Sequence, residues 1–397
     1  MIATYRELFA APGTRAFTLA GILARLPLPM TGIGIIIMLS QSGGSYAFAG
    51  AVSATFVMTY ALVSPQISRL VDRHGQRRVL PAATVISTIG LIMLSLNSLW
   101  WDSAWMMFTG ALLTGFMPSV SAMVRARWTA IYRGQPRLQT AYSLETVLDE
   151  VSFIAGPPLA VALGVMVQPE AALLLAMLLL TAGVIALLAQ RGTEPPRISC
   201  DVTYSNRSLI RLPAVRLLVV LMMAMGVIVG TIDIVSVAFA TGQGHPALAS
   251  LVLSAYALGS CLAGLLFGAL HLRAALHHQL VFGGLGIALS TLPLLMAGSI
   301  LSLTAAVLLS GLFFAPTMIV AMSLAERAVP ENRVTEGMAW LLAGLNIGVA
   351  LGAAVAGQVL NHGTPSQGFS VAVSAAGVIL AVVFYGFRRP VPVVTGE

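Results

Sequence analysis

The sequence predicts an all-α membrane protein: twelve transmembrane helices arranged as two six-helix halves that repeat one another. Three observations carry that expectation. The 397-residue chain is 58% hydrophobic and only 9% charged, with mean hydropathy +0.92, whereas a soluble domain carries about 25% charged residues. Its arginines fall in alternate gaps between apolar runs. Its second half matches its first.

The apolar runs lie near 16–40, 46–70, 78–97, 104–124, 139–165, 170–190, 214–241, 247–270, 278–298, 300–325, 333–361 and 367–387. A helix needs roughly 20 apolar residues to cross a bilayer. The runs are too long, and alternate too little, for barrel strands. Span one carries Pro27, Pro29, Gly32 and Gly34, and span five carries Gly156, Pro157 and Pro158. Both segments read as kinks lining a cavity. After span six the polar stretch 191–213, with Pro195, Pro196 and Pro213, reads as a linker. The domains are therefore expected as an N-terminal half at 1–190, a cytoplasmic linker at 191–213 and a C-terminal half at 214–397.

The chain has no lysine, so all 21 basic residues are arginine. Arg6 and Arg15 precede span one. Arg69, Arg73, Arg77 and Arg78 flank the second gap, and Arg125, Arg127, Arg133 and Arg137 the fourth. Arg191, Arg197, Arg207, Arg211 and Arg216 flank the sixth. Arg273, then Arg327 and Arg333, then Arg388 and Arg389 follow in the eighth gap, the tenth gap and the tail. The odd gaps hold none. Short arginine-rich loops stay in the cytoplasm, so both termini are expected there. The net charge of +7 follows from this topology and does not point to nucleic acid. Span one is too long for a signal-peptide core, so no cleaved leader is expected. Cys200 falls in the linker and Cys261 inside a span, which argues against a disulfide between them.

Residues 47–80 match 247–280 without a gap, at an offset of 200. Ala47, Val52, Arg73 and Leu80 recur as Ala247, Val252, Arg273 and Leu280. The offset then falls to 196, so that Gly115, Arg137 and Gly156 recur as Gly311, Arg333 and Gly352. Six spans followed by six in the same orientation is a parallel duplication, typical of transporter halves related by an axis along the membrane normal.

The gap between spans two and three runs from Ser68 through Asp72, Arg73, His74, Gly75 and Gln76 to Arg77 and Arg78. It resembles the signature loop of the major facilitator superfamily, G-x-L-a-D-r-x-G-r-k. Asp72, Arg73, Gly75 and Arg77 fit; Ser68 and Gln76 depart. Gly156-Pro157-Pro158 is similar to the Gly-Pro segment of the family's antiporters, with Ala160 in place of a preferred glycine. The resemblance covers the whole chain and implies the major facilitator fold, alternating access and a monomer. It also implies that Asp72, Arg73, Gly75 and Arg77 control conformation rather than touch cargo. One feature departs. Ala111 stands where many of the family's drug:proton antiporters carry an arginine before a glycine, here Gly115.

Charges at membrane depth cost several kcal/mol and mark function by default. Arg25 in span one, Glu145, Asp149 and Glu150 in span five, and Asp233 in span seven are the candidates for proton coupling or substrate binding. Glu145 and Asp149 share a helix face. By the family's architecture spans one and five are neighbours, which brings Arg25 within reach of Asp149 or Glu145. Burial favours the protonated carboxylate and a guanidinium favours the ionised one. A static ion-pair network is the structural alternative, and Glu145 can instead serve Arg125 or Arg127. Glu336, beside Arg333 at the start of span eleven, reads as a structural acid at a helix start.

No Walker A sequence and no nucleophile–base set appears, so neither an ATP-driven pump nor an enzyme is expected, and no cofactor or metal is called for. The three histidines His271, His277 and His278 read as a hydrated loop. The expected function is secondary transport in a bacterial inner membrane. The best match is proton-coupled export of small, moderately hydrophobic compounds. An importer or uniporter of a small anion held by Arg25 is the alternative within transport, and a transporter-like sensor or lipid-handling protein the alternative outside it.

Overall fold

The computed structural model describes residues 2–41, 46–100, 103–195, 208–245, 248–270, 274–362 and 364–386. Arg197, Cys200, Arg207, His271, Arg273, Arg388 and Arg389 lie outside the described residues. Among those described, the regular structure is helical throughout: α1 (Ile2–Leu8), α2 (Thr14–Arg25), α3 (Pro27–Gln41), α4 (Tyr46–His74), α5 (Gln76–Trp100), α6 (Ala104–Thr114), α7 (Val120–Tyr132) and α8 (Arg137–Met166) come first. There follow α9 (Ala171–Ala189), α10 (Pro213–Gly242), α11 (Ala249–Ala269), α12 (Leu276–Thr291), α13 (Ile300–Ala328), α14 (Val334–His362) and α15 (Pro365–Ala381).

Eleven helical segments among the described residues are long and apolar enough to cross a membrane, not the twelve continuous ones expected. The difference lies in the fourth span, which is broken. α6 ends in tight i→i+3 turns: Gly115, Phe116 and Met117 donate to Leu112, Leu113 and Thr114 at 3.1 Å each. Pro118 supplies no N–H, and α7 restarts behind Ser119 (φ −73°, ψ 83°). A crowded contact fixes the place of the break. A Cβ on Gly115 would stand 2.5 Å from Thr59 Cβ and 3.0 Å from the Tyr60 nitrogen. Only a glycine lets α6 end so close to α4. The break is buried, with Met117 and Ser119 each 1% exposed. Irregular backbone at membrane depth is tolerated only when buried in protein or facing a water-filled cavity.

The prolines elsewhere act differently. α2 passes to α3 at Leu26, whose dihedrals stay helical (φ −55°, ψ −37°). Pro27 removes one donor at a first helical position, where it is least missed. α4, α5, α8 and α13 run on through Pro65, Pro81, Pro157-Pro158 and Pro316. The expected kink at 156–158 thus falls within an unbroken helix, whose Gly156 packs closely on Pro29.

The chain groups into two compact units. The first comprises Met1–Tyr5, Gly134–Glu150 and Tyr204–Glu397. Its α10 and α14 cross closely, and its α13 reaches α11 at Gly311, whose Cβ would stand 3.1 Å from the Ser260 nitrogen. Glu336 is fully buried there and accepts from the Leu209 N–H (2.9 Å) and from Arg333 Nε (3.0 Å). This ties the chain entering α10 to the start of α14, as the structural reading of Glu336 anticipates.

The second unit comprises Arg6–Arg133 and Val151–Thr203. Trp128 is fully buried, 4.7 Å from Phe17 and stacked on Tyr132 at 5.9 Å between ring centroids. Beside it the buried Arg127 closes the end of α9. Its guanidinium donates to the carbonyls of Leu187 (3.0 Å) and Gln190 (3.1 Å), to Thr193 Oγ1 (2.7 Å) and to Gln76 Oε1 (2.8 Å). The C-terminal carbonyls of a helix need partners, and here a buried cation supplies them. The Gly115–Tyr60 contact of this unit recurs as Gly311–Ser260 in the first, obeying the sequence offsets of 196 and 200.

Candidate functional site

In the first unit the N-terminal part of α8 lies antiparallel against α11. Thr140 Oγ1 donates to the Gly268 carbonyl at 2.7 Å, and Ser143 Oγ donates to the Gly264 carbonyl. Tyr5 OH donates to the Leu265 carbonyl at 2.9 Å and stands 3.1 Å from Ser143 Oγ. The two glycines leave room for this approach: a side chain on Gly268 would collide with Ser143 and Tyr5. Burial lifts the Tyr5 hydroxyl above its ordinary value of 10.0, with the Ser143 contact opposing, so it stays a donor near neutrality.

The line of contacts ends at the candidate acids. Ser260 Oγ, fully buried on α11, donates to Glu150 Oε1 at 3.0 Å. Glu150 also lies within electrostatic range of Asp149 and of Asp233 on α10. Tyr256, one turn before Ser260 and 5.8 Å from Phe314, feels both Glu150 and Asp233. Three helices of one unit therefore bring Glu150, Asp233, Tyr256 and Ser260 together. Glu150 is half-buried and Asp233 exposed. From Thr140 to Glu150 the helix climbs about 15 Å, which brings the cluster near the middle of the 30-residue candidate span Arg137–Met166.

The other candidates fall as follows. Asp149 is half-buried and Glu145 fully buried, both on this part of α8. Arg25 belongs to the second unit. It is 5% exposed, and its Nε donates to the Gly21 carbonyl at 3.1 Å. The signature loop is a tight turn between α4 and α5. Gly75 adopts φ 89°, a region costly for any residue with a side chain, and its N–H donates to the Val71 carbonyl at 2.7 Å. Asp72 is half-buried, while Arg73 and Arg77 are exposed. The Arg77 N–H donates to Glu194 Oε1 at 3.2 Å. Sequence reading alone passes over Ser260, Tyr256 and Tyr5. The available signal was positional: Ser260 occupies the repeat position of Tyr60, a polar exchange at an otherwise matched helix contact.

Comparison with known proteins agrees with this architecture. The model of the Major Facilitator Superfamily matches residues 17–300 and again 217–396. A relative from Sinorhizobium fredii, an uncharacterized MFS-type transporter, is 26% identical over 373 residues, covering 90% of this chain and 91% of the relative. Among solved structures, a bacterial homologue of the iron transporter ferroportin, in an outward-facing state with soaked iron, superposes with a TM-score of 0.74. It shares 12% identity and covers 96% of this chain and 100% of its own. The fucose:proton symporter of E. coli gives a TM-score of 0.68 at 13% identity, over 92% and 97% of the two chains. At such identities the likeness is one of fold.

Proposed function

The chain belongs to the Major Facilitator Superfamily, and we propose that it is a proton-coupled exporter of small, moderately hydrophobic compounds in a bacterial inner membrane. The observation that carries the coupling is the Ser260–Glu150 hydrogen bond at 3.0 Å, with Asp233 of the same unit within electrostatic range of Glu150. Like charges at this depth repel, and uptake of a proton relieves the repulsion. Ser260 orients one carboxylate oxygen. Tyr256 and Phe314 give the same place an apolar, aromatic wall, suited to an amphipathic solute. Glu150 replaces Asp149 as the first candidate for the proton carrier, with Asp233 as its partner and Asp149 and Glu145, on the same part of α8, tuning the field. Asp72, Arg73, Gly75 and Arg77 act on the conformational change and not on cargo.

The test uses purified protein in proteoliposomes enclosing a pH-sensitive dye, with an imposed proton gradient. A library of lipophilic drug-like solutes is screened for solute-dependent proton flux. Coupled exchange predicts flux for some solutes, lost in Glu150→Gln while counterflow of labelled for unlabelled solute persists. Solute movement without any proton movement would leave a facilitator or an exchanger of another ion.

A further inference from the structure

We propose that the break in the fourth span is an anion-binding subsite, taking the carboxylate of a substrate or a free inorganic anion of like charge. Two observations independent of the acid cluster point there. The first is the helix start at α7. A 13-residue helix begins in the protein interior with its first N–H groups outside the helical ladder, and such a terminus attracts negative charge. Serine at this position ordinarily caps those groups. Here the Ser119 side chain makes no capping bond. Its hydroxyl is buried, the residue 1% exposed, with no hydrogen-bond partner among the described residues. Buried hydroxyls are rarely left so. Across the break the Thr114 carbonyl is paired, accepting from Ser87 Oγ at 2.9 Å and from the Met117 N–H at 3.1 Å. The start of α7 offers donors, matched to an acceptor.

The second observation is the register of α2 on α7. Phe17 meets Trp128, and a Cβ on Gly21 would lie 2.9 Å from Val124 Cγ2. Four residues forward on α2 is four back on α7, so Arg25 comes level with Val120, the first residue of α7. Its guanidinium folds back toward Gly21, with Nη2 3.4 Å from that same Cβ position. It thus lies in the α2–α7 crevice level with Val124, about one turn along α7 from the helix start. Arg125, fully buried on α7, adds a second positive charge.

Neither feature recurs. At an offset of 196 the break maps onto 311–315, which α13 crosses without interruption. The matching span, α10, carries arginine only at Arg216, in its first turn. A scaffold device of a duplicated fold is expected twice; a broken helix and a buried arginine that appear once, and together, fit a ligand. The subsite rests on the chain being a transporter but not on its proton coupling.

The test is thermal unfolding of the purified full-length protein, titrated with benzoate, with benzamide as its neutral counterpart, and with chloride. Benzoate or chloride is expected to raise Tm and benzamide to leave it unchanged. A response to benzoate alone assigns a carboxylate, and a response to chloride alone a free inorganic ion. Ser119→Ala is expected to weaken the responding anion about tenfold with little change in the Tm of the empty protein, because the hydroxyl caps nothing. Ser119→Asp places a carboxylate on the helix start and is expected to raise the empty Tm and abolish the anion response. Arg25→Gln is expected to weaken it as well. Glu150→Gln, which tests the proton site, is expected to leave it intact. Equal shifts with benzoate and benzamide, no shift with either anion, or an anion response that survives in Ser119→Asp overturns the proposal.

Discussion

The Ser260 hydroxyl donates to the Glu150 carboxylate at 3.0 Å across the α8–α11 crossing. Ser260→Ala removes the bond that orients this carboxylate oxygen, and should slow solute-driven proton flux in liposomes while leaving the melting temperature nearly unchanged. An unchanged flux would show that Glu150 does not carry the proton, and Asp233→Asn would be the next variant to measure.

Glycine 115 should not accept even a methyl group quietly. Its Cβ would stand 2.5 Å from Thr59 Cβ, and overpacking of this kind costs typically 1–3 kcal/mol. Gly115→Ala should lower the melting temperature measured by fluorescence-detected gel filtration. Gly311→Ala, its repeat counterpart, should do likewise, because its Cβ runs into the Tyr256 carbonyl.

How much of this was legible in the sequence depends on what periodicity and charge can report. Apolar length and the arginine pattern placed the spans, because the bilayer imposes both. The break at 115–119 was missed although Pro118-Ser119 is a helix-start signal. Prolines also stand inside α4, α5, α8 and α13 without breaking them. What decides at Pro118 is the contact of Gly115 with Thr59, a tertiary fact. The acids stand out in the sequence by their rarity within apolar runs, but which of them meets Ser260 does not. Asp149 and Glu150 are adjacent, about 100° apart around the helix, and only the partner helix selects Glu150 for Ser260.

Arg127→Ala should be among the most destabilising single changes in the chain. It removes four hydrogen bonds and leaves the carbonyls of Leu187 and Gln190 buried at the end of α9. Each buried acceptor left without its partner costs about 1–3 kcal/mol. Arg127→Lys should recover little, since an ammonium does not reproduce the planar fork. Thermal unfolding in detergent measures both.

Tyr5→Phe should cost about 1 kcal/mol at neutral pH, read as a lower melting temperature. The difference should shrink in alkali. Burial raises the Tyr5 value above 10.0, so its contribution is complete below the unfolded value and is lost as pH rises through the folded one. A difference that does not change with pH would show that the hydroxyl stays neutral throughout.

Asp72→Asn should slow transport while leaving equilibrium binding of a transported solute nearly intact, because the signature turn lies at the ends of α4 and α5, away from the midplane where such carriers bind cargo. Isothermal titration beside initial-rate flux separates the two quantities. A large loss of affinity would make the turn part of the binding site.

The fourth span also bears on how the chain comes together. α6 has 11 residues, about 16 Å of helix, half the roughly 30 Å of hydrocarbon. Past the break, α7 carries Arg125 and Arg127, both fully buried in the folded protein. Arg127 finds its acceptors only when α9 arrives, some 60 residues later by the sequence separations of 60 and 63 to Leu187 and Gln190. The packing of α7 is thus completed only by a helix made later, so this part of the second unit closes as a group of helices rather than one at a time.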